Sequence, residues 1–275
     1  MSDESKNRFS GLARLYGEPG LAALREAHIA VIGIGGVGSW SAEALARSGV
    51  GELTLVDLDD VCLTNTNRQI HALSNTVGQS KVHVMAERIA TINPGCTLHA
   101  KECFLTEKNV DSILDRSLDG VIDAIDAVHP KCLLLAKCHQ RDIPVITCGA
   151  AGGRCDATLI EVADLSRTCH DALLHQVRRN LRGSYGFPSG EHSRKKFGIP
   201  AVFSPENIRY PLGDGGVSTA RPDDQPAGLH CDAGFGTVTH VTATFGLLAT
   251  GELINRIAES GNKEGGLEPP SKSGI

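Results

Sequence analysis

The residues with the clearest chemical pattern form a glycine-rich run, Gly-Ile-Gly-Gly-Val-Gly, at 33–38. It follows a short hydrophobic stretch at 28–32 and precedes a segment with helical spacing at 39–48. Glycines at a strand-to-helix turn let backbone amides approach phosphate, and the helix N-terminus adds a favourable dipole. The run therefore predicts a nucleotide site. Its candidate binding residues are Gly33, Gly35, Gly36 and Gly38.

An acidic residue, Asp57, ends the next hydrophobic run at 52–57. In dinucleotide-binding α/β folds a carboxylate at this place accepts hydrogen bonds from ribose hydroxyls. Taken with the glycine run alone, this arrangement indicates a nicotinamide-dependent dehydrogenase. A further feature is needed to distinguish that class from an enzyme that uses ATP.

The segment after Asp57 supplies that feature. Its polar and charged members include Asp59, Asn67, Arg68, Gln69 and Lys81. Arg68 and Lys81 can neutralise the β- and γ-phosphates of a nucleotide. Asn67 and Gln69 can orient the same phosphates. A dinucleotide needs no such set, so the pattern favours a triphosphate that loses pyrophosphate, with a solvated polar loop as the alternative.

A second acidic residue, Asp126, follows the hydrophobic run at 120–125. The carboxyl ends of parallel strands meet at one edge of a sheet, so Asp126 is expected beside the phosphates, where a carboxylate can bind Mg²⁺. The alternative role for Asp126 is to N-cap the helix that enters at Pro130. Asp123, in the same run, is expected to cap or brace the loop.

Alternating strands and helices must position these residues. Strands are predicted at 28–32, 52–57, 97–104, 120–125 and 144–148, and helices at 39–48, 81–92, 107–114 and from Pro130 onward. Repeated β-α units of this length predict an α/β fold with a doubly wound, mainly parallel sheet. The Rossmann-like nucleotide-binding core is expected to span 28–150.

The pattern changes after this core. A strand is predicted at 157–165, and helices at 166–181 and 234–257. These elements form a C-terminal extension on the substrate side, 151–257, within a single domain at 8–257. The stretch 183–228 is rich in Gly, Pro and charge, which predicts a mobile loop. Residues 1–7 and 260–275 are polar and predict disordered tails.

Composition limits where the chain works and what it binds. The net charge is −5, so nucleic acid could be held only by a local basic patch. The densest basic groups, 178–182 and 194–196, could bind RNA phosphates or could form a solvated helix face.

The first residues lack the apolar core of a signal peptide, which predicts a cytoplasmic protein. The apolar stretch 237–254 contains His and Glu and predicts a buried helix rather than a membrane span.

The nine cysteines are expected to be thiols, as is usual in a cytosolic protein. None forms a Cys-x-x-Cys pair, so no structural zinc is expected. Cys231 is interpreted as a buried structural thiol rather than a nucleophile.

The chemical residues occur together in a familiar order. The glycine run, Asp57-x-Asp59, Asn67-Arg68-Gln69, Lys81 and Asp126 resemble the ThiF/MoeB/ubiquitin-activating-enzyme superfamily over roughly 8–257. Its members adenylate carboxylates with ATP and Mg²⁺. The resemblance implies the same chemistry here, with Asp57 on the ribose. It also implies Arg68 and Lys81 on the phosphates, assisted by Asn67 and Gln69, and Asp126 on the metal.

The resemblance also extends to assembly. Members form homodimers in which an N-terminal arginine reaches the ATP of the partner, and the stretch 8–15 resembles that element. Arg14 is the first candidate and Arg8 the second. The catalytic set implied by the resemblance is Arg14, Arg68, Lys81 and Asp126.

Further stretches resemble one branch of this superfamily, the TcdA (CsdL) branch of tRNA threonylcarbamoyladenosine dehydratases. They lie at 14–17, 61–71, 121–126, 149–153 and 242–246. The resemblance implies a tRNA substrate, adenylation of the threonylcarbamoyl carboxylate at adenosine 37, and ring closure with release of AMP. Sulfur-transfer proteins are candidate partners.

Three other functions stay open at this point. One is activation of the C-terminus of a ubiquitin-like or sulfur-carrier protein, which would prefer a thiol acceptor. Another is a noncatalytic nucleotide-binding adaptor. The third is a nicotinamide-dependent dehydrogenase, which requires that the features at 67–69 and at Lys81 are coincidental. An intramolecular cyclisation needs no thiol acceptor because the substrate carries its own nucleophile.

Overall fold

Seven hydrophobic segments pair into one sheet in the computed structural model, which describes residues 7–114, 117–192, 195–221 and 235–266. The strands are β1 (His28–Ile32), β2 (Glu52–Asp57), β3 (Thr97–Glu102), β4 (Gly120–Asp123), β5 (Val145–Cys148), β6 (Glu161–Asp164) and β7 (Pro200–Phe203). Their order is β3-β2-β1-β4-β5-β7-β6, and every neighbouring pair is parallel except β6 with β7. A separate hairpin joins β8 (Tyr210–Pro211) to β9 (Val217–Ser218). The predicted α/β fold with a mainly parallel sheet is confirmed.

Helices cover both faces of this sheet. They are α1 (Ser10–Glu26), α2 (Gly38–Arg47), α3 (Lys81–Ile92), α4 (Val110–Ile113), α5 (Val128–Gln140), α6 (Ala172–Ser184) and α7 (Thr239–Glu264). Alternate residues of β1 enter two different cores: Ile29 and Val31 pack with residues of α1, α2, α3 and α7, whereas Ala30 and Ile32 pack with residues of α4, α5 and α6. Because both faces are covered, β1 is buried along its whole length.

Three strands lie inside the stretch 183–228, for which the sequence predicted a loop: β7 of the main sheet and the hairpin strands β8 and β9. β7 runs between β5 and β6, and its Ala201 and Val202 are fully buried. The loop prediction is therefore corrected for these parts of the stretch. β7 has only four residues and is flanked by Gly, Pro and charged residues. Its stability therefore depends on the neighbouring strands β5 and β6, which are distant in sequence.

Several helix boundaries also differ from the predictions. α4 covers only 110–113 of the predicted 107–114, and α7 begins at Thr239 rather than at 234. α6 begins at Ala172 instead of 166 because Asp171 caps it, its Oδ1 accepting from the backbone N–H of Leu174 at 2.9 Å. α7 continues to Glu264, so residues 260–264 are helical rather than part of a tail. The remaining tail residues, 1–6 and 267–275, lie outside the described part of the chain.

The apolar stretch at 237–254 belongs mostly to α7, which packs against α1 and α2. Buried members of α7, among them Val241, Phe245 and Leu253, join one of the two cores. Among the described helices, none is both long and apolar enough to cross a membrane.

Candidate functional site

A cavity of about 1130 Å³ opens beside the carboxyl ends of β1, β2 and β4. This is the edge at which ligands bind in doubly wound sheets, and the volume is sufficient for a nucleotide. Most of the predicted site residues line it. They are Gly33, Gly35, Gly36, Asp57, Asp59, Arg68, Gln69, Lys81 and Asp126.

The glycine loop forms one wall of the cavity and depends on close backbone contacts. Gly33 has a φ of 91°, and a Cβ there would lie 2.9 Å from the carbonyl oxygen of Ala124. A Cβ on Gly38 would lie 1.8 Å from the carbonyl oxygen of Gly33. Gly38 does not line the cavity, and the absence of a side chain there lets α2 pack against the loop. A contact of Gly38 with the nucleotide stays a prediction.

Asp57 joins the glycine loop to the turn that follows β2. Its Oδ2 accepts from the N–H of Ile34 at 2.6 Å, and its Oδ1 accepts from the N–H of Asp59 at 2.9 Å. Burial raises the pKa of the Asp57 carboxyl above its usual value, and the charge of Lys81 opposes that rise. Asp57 thus fixes the loop while lining the cavity where a ribose was predicted.

Lys81 places a nearly buried ammonium group at the cavity. Its Nζ lies 2.7 Å from Asp59 Oδ2, and its side chain is 7% exposed whereas that of Asp59 is 55% exposed. Asp59 therefore balances the charge of Lys81. An ammonium group has three donors, so Lys81 can keep this partner and still donate to a phosphate.

Arg68 lies across the glycine loop. Its aliphatic Cγ and Cδ are the atoms that a Cβ on Gly36 would meet, at 3.3 Å. Its Nη1 donates to the carbonyl of Thr64 at 2.9 Å and to Asn67 Oδ1 at 3.0 Å. The guanidinium is thereby oriented at the cavity by its own loop.

Asn67 has a different position from the one predicted. It does not line the cavity, and its Nδ2 donates to the carbonyl of Thr237 at 2.8 Å, just before α7. Its Oδ1 accepts from Arg68, so Asn67 links Arg68 to the start of α7. A direct contact of Asn67 with phosphate stays a prediction.

Gln69 is only 5% exposed and lines the cavity. Its Oε1 is buried and has no hydrogen-bond partner among the described residues. A buried amide oxygen without a donor costs free energy, which a donor group of a bound ligand would recover. This unsatisfied acceptor fits a nucleotide in the cavity.

Asp126 is exposed and lines the cavity after β4. The alternative role of Asp126 as a helix N-cap is not observed, because α5 begins at Val128 and its N-cap residue is Ala127. A carboxylate is a ligand that hard cations prefer, and the role of Asp126 on a metal stays a prediction.

A fully buried ion pair supports the loop that carries Asp126. Asp123 and Lys131 are both 0% exposed and lie 3.0 Å apart. Lys131 Nζ also donates to the carbonyl of Ile125 at 2.8 Å, and Asp123 Oδ1 accepts from the N–H of Ile125 at 3.1 Å. The expectation that Asp123 braces this loop is confirmed. Lys131 was missed, because a single lysine in an amphipathic helix pattern gives no sign of burial.

A second buried pair supports the wall formed by residues 150–152. Arg154 Nη2 lies 3.6 Å from Asp171 Oδ2, and both side chains are 0% exposed. Asp171 Oδ2 also accepts from the N–H of Ala150 at 2.9 Å, and Ala150 lines the cavity. Sequence reasoning missed this pair as well, since its members lie on separate elements.

The N-terminal arginines lie outside the cavity of their own chain. Arg14 is exposed on α1, and exposed Arg8 donates to the carbonyl of Ile92 at 3.1 Å. Neither lines the cavity, so a role for either residue in a partner's site stays a prediction.

The described cysteines are all free thiols, and Cys231 lies outside the described residues. Cys148 lines the cavity, and burial raises the pKa of its thiol to about 12. A thiol with so high a pKa is a poor nucleophile at neutral pH.

Comparison with known proteins gives consistent results. The ThiF family matches residues 9–269. The chain is 46% identical over 266 residues to the tRNA threonylcarbamoyladenosine dehydratase of Escherichia coli (strain K12), covering 96% of this chain and 98% of the relative. It is 49% identical over 255 residues to the enzyme of the same name from Haemophilus influenzae, covering 93% and 95% of the two chains. A crystal structure of the E. coli dehydratase in complex with ATP has a TM-score of 0.84 and 44% identity, covering 96% of this chain and 98% of that one.

Proposed function

The chain belongs to the ThiF family, and on that basis we propose that it is an ATP-dependent tRNA threonylcarbamoyladenosine dehydratase. One observation supports this most strongly. A single cavity at the carboxyl edge of the sheet brings together the glycine loop, an acid at the ribose position, two cations and a second acid. Two relatives that match almost the whole chain carry the name of this activity.

The proposed reaction activates a carboxylate and then closes a ring. An oxygen of the threonylcarbamoyl carboxylate attacks the α-phosphorus of ATP, and pyrophosphate leaves. The neighbouring carbamoyl group then attacks the activated carbonyl carbon, and AMP leaves with the former carboxylate oxygen. One water is lost from the nucleoside overall, and no covalent bond to the protein is required.

The cationic residues act by position and charge in this proposal. Lys81, held by Asp59, and Arg68, held by Thr64 and Asn67, are oriented before the substrate arrives. Cations arranged in advance stabilise the negative charge that develops on the departing pyrophosphate. Asp57 accepts from the ribose, and Gln69 Oε1 accepts a donor of the nucleotide.

A magnesium ion is part of the same proposal. Asp126, Asp57 and Asp59 line the cavity and supply the carboxylate oxygens that Mg²⁺ prefers. When bound, the ion neutralises phosphate charge as pyrophosphate leaves. Asp126 is the proposed ligand, because it lines the cavity directly after β4 and the resemblance of the sequence implies this role for it.

We also propose that the protein works as a cytoplasmic homodimer in which Arg14 of one subunit reaches the ATP of the other. In support, Arg14 is exposed on α1 and does not line the cavity of its own chain. Sulfur-transfer proteins are proposed as further partners on the resemblance of the sequence alone.

The test supplies Mg²⁺, ATP and tRNA that carries threonylcarbamoyladenosine. We expect AMP release in proportion to a loss of the mass of one water from the nucleoside. The control is the same tRNA without the threonylcarbamoyl group, which should release no AMP. Adenylation of a Gly-Gly protein tail in place of the nucleoside would identify the alternative activity, and ATP binding without turnover would identify an adaptor.

A further inference from the structure

The helix α6 lies between the candidate site and a second cavity. On one face, Ala172, Leu173 and Gln176 line the candidate site. A second cavity of about 650 Å³ lies against another face of the same helix. Its lining residues are Ser166, Thr168, His175, Arg178, Arg179, Arg182, Gly183 and Ser189, which we call the basic cavity.

The basic cavity has the composition of an anion site. Three arginines and three hydroxyl side chains line it, and no carboxylate does so among the described residues. Arginine donates two parallel hydrogen bonds to a phosphate, and hydroxyls add single ones. The cavity therefore offers donors to an oxyanion.

Local contacts hold two of these arginines in place. Arg178 donates to Thr168 Oγ1. Arg182 Nε donates to the carbonyl of Pro188 at 3.2 Å, and its guanidinium carbon lies 5.1 Å from the centre of the Phe197 ring. Arg179 is exposed at the opening. A guanidinium that is already oriented loses less entropy when it binds an anion.

The acids near the basic cavity are engaged by other groups. Asp164 accepts from Ser166 and from the N–H groups of Phe197 and Gly198. Asp171, which precedes α6, is committed to Arg154 and to the N–H groups of Ala150 and Leu174. Burial, and then the neighbouring charge of Arg182, lower the pKa of Arg178, and the charge of Asp171 opposes this fall only in part. Like charges held close together are relieved when an anion binds between them.

We propose that the basic cavity binds backbone phosphates of the tRNA substrate next to the nucleotide that enters the candidate site; this inference rests on the proposed function. Both cavities use α6, and Gln176 of one is three residues from Arg179 of the other, which is ~4.5 Å along the helix axis. One RNA strand can therefore contact both. The chain has a net charge of −5, so a polyanion needs a local basic surface of this kind.

The test measures tRNA affinity of the full chain as salt is varied. We expect Arg179→Ala to weaken binding roughly tenfold and to reduce the salt slope by about one. Arg256→Ala is the matched control, because Arg256 is also an exposed arginine on a helix but lies on α7, outside both cavities. Binding of ATP should be the same in all three proteins.

A pair of variants at Arg178 separates lost binding from a folding defect. Arg178→Ala removes a contact with Thr168 as well as a charge, whereas Arg178→Lys keeps the charge and should retain part of the tRNA affinity. The AMP-release assay should show a raised KM for tRNA and little change in kcat for Arg179→Ala, as expected for lost binding away from the reacting atoms.

Several outcomes would overturn the inference. Unchanged tRNA affinity and salt slope in both Arg179→Ala and Arg178→Ala would do so, as would an equal loss in Arg256→Ala. A change confined to the binding of inorganic phosphate would point to a small-anion site instead. If the wild-type protein converts the nucleoside normally but the variants bind tRNA like wild type, only the basic cavity is refuted. If the wild-type protein neither binds nor converts the tRNA, the proposed function fails too.

Discussion

At the scale of single residues, the site depends on cations that other residues hold in place before any ligand arrives. Lys81 is held by Asp59, and Arg68 by the carbonyl of Thr64 and the amide oxygen of Asn67. Each cation keeps further N–H donors for a phosphate. The cost of orienting them is met during folding, which is the condition under which electrostatic catalysis is effective.

Removal of one of these cations should therefore affect chemistry more than folding. We expect Arg68→Ala to lower kcat roughly 100-fold or more, because the half-buried guanidinium acts on phosphate charge rather than on packing. The measurement is AMP release at saturating ATP and tRNA, with the thermal midpoint recorded in parallel.

Arg68→Lys is the informative companion of this variant. It keeps the positive charge but loses the planar guanidinium, whose Nη1 donates to Thr64 and Asn67. We expect intermediate activity. Full activity in Arg68→Ala would contradict the assigned role, and so would a loss explained by unfolding.

Most residues that line the cavity could be predicted from the sequence, and so could the bracing role of Asp123, whereas the buried cations behind the cavity could not. Asp57 and Asp126 follow recognisable strands, and the order of strands places them at one edge. The side chains of Lys131 and Arg154 are fully buried, like those of the core. Lys131 pairs with Asp123 and Arg154 pairs with Asp171, and only these contacts between separate elements explain the burial. Nothing in the local sequence gives these pairings.

At the scale of elements, the local sequence pattern predicted several strands and helices in the N-terminal half of the fold. β1, β2 and α3 have the predicted bounds, and α3 ends where Asn93 and Pro94 follow it. α1 was missed, because Gly17, with a φ of 77°, and Pro19 interrupt its pattern. β7 was missed because its four residues carry no clear strand pattern of their own. They form a strand by pairing with β5 and β6.

A single side chain, that of Asp171, sets the start of α6. Asp171 caps the helix through the N–H of Leu174, holds the N–H of Ala150 and pairs with Arg154, all without exposure to solvent. Breaking a buried pair leaves an uncompensated charge and costs about 3–5 kcal/mol. We expect Asp171→Ala to lower the free energy of unfolding by about that amount, measured by urea denaturation.

Asp111→Ala is the matched control for this prediction. Asp111 also pairs with cations, Lys137 and Arg141, but its side chain is 57% exposed. Exposed pairs contribute about 0–1 kcal/mol, so this variant should unfold almost as wild type does. Similar losses of unfolding free energy in the two variants would show that burial of the pair Asp171–Arg154 is not the cause of the destabilisation.

At the scale of the whole molecule, a second subunit is required by the proposed role of Arg14. The two inactive variants Arg14→Ala and Arg68→Ala should restore activity when they are mixed and allowed to exchange subunits. A mixed dimer then contains one site with both arginines intact, so we expect roughly a quarter of wild-type activity. The measurement is AMP release, with Arg8→Ala in place of Arg14→Ala to decide between the two candidates.

Absence of restored activity would contradict the shared site only if subunits do exchange. Exchange can be followed separately by a change of fluorescence transfer between labelled subunits. A fully active Arg14→Ala protein would remove Arg14 from the catalytic set, whatever the state of assembly.

Stability of the whole molecule should depend on pH through a residue that takes no part in the proposed chemistry. His71 is 1% exposed, and neither ring nitrogen has a hydrogen-bond partner among the described residues. Burial, and then the charges of Lys81 and Arg88, lower its pKa to about 4 from an ordinary value of 6.5. Between these two pH values the unfolded chain binds a proton that the folded chain does not, so stability falls as pH falls from about 6.5 towards 4.

His71→Gln should remove this dependence, because glutamine does not titrate in that range. Comparison of urea denaturation at about pH 7.5 and about pH 5 should show a drop in the free energy of unfolding that is about 2 kcal/mol larger in wild type than in the variant. Other groups titrate in both proteins and cancel in that difference. An equal drop in the two proteins would mean that His71 binds its proton equally in the folded and the unfolded chain, so that neither burial nor the charges of Lys81 and Arg88 keep its ring neutral.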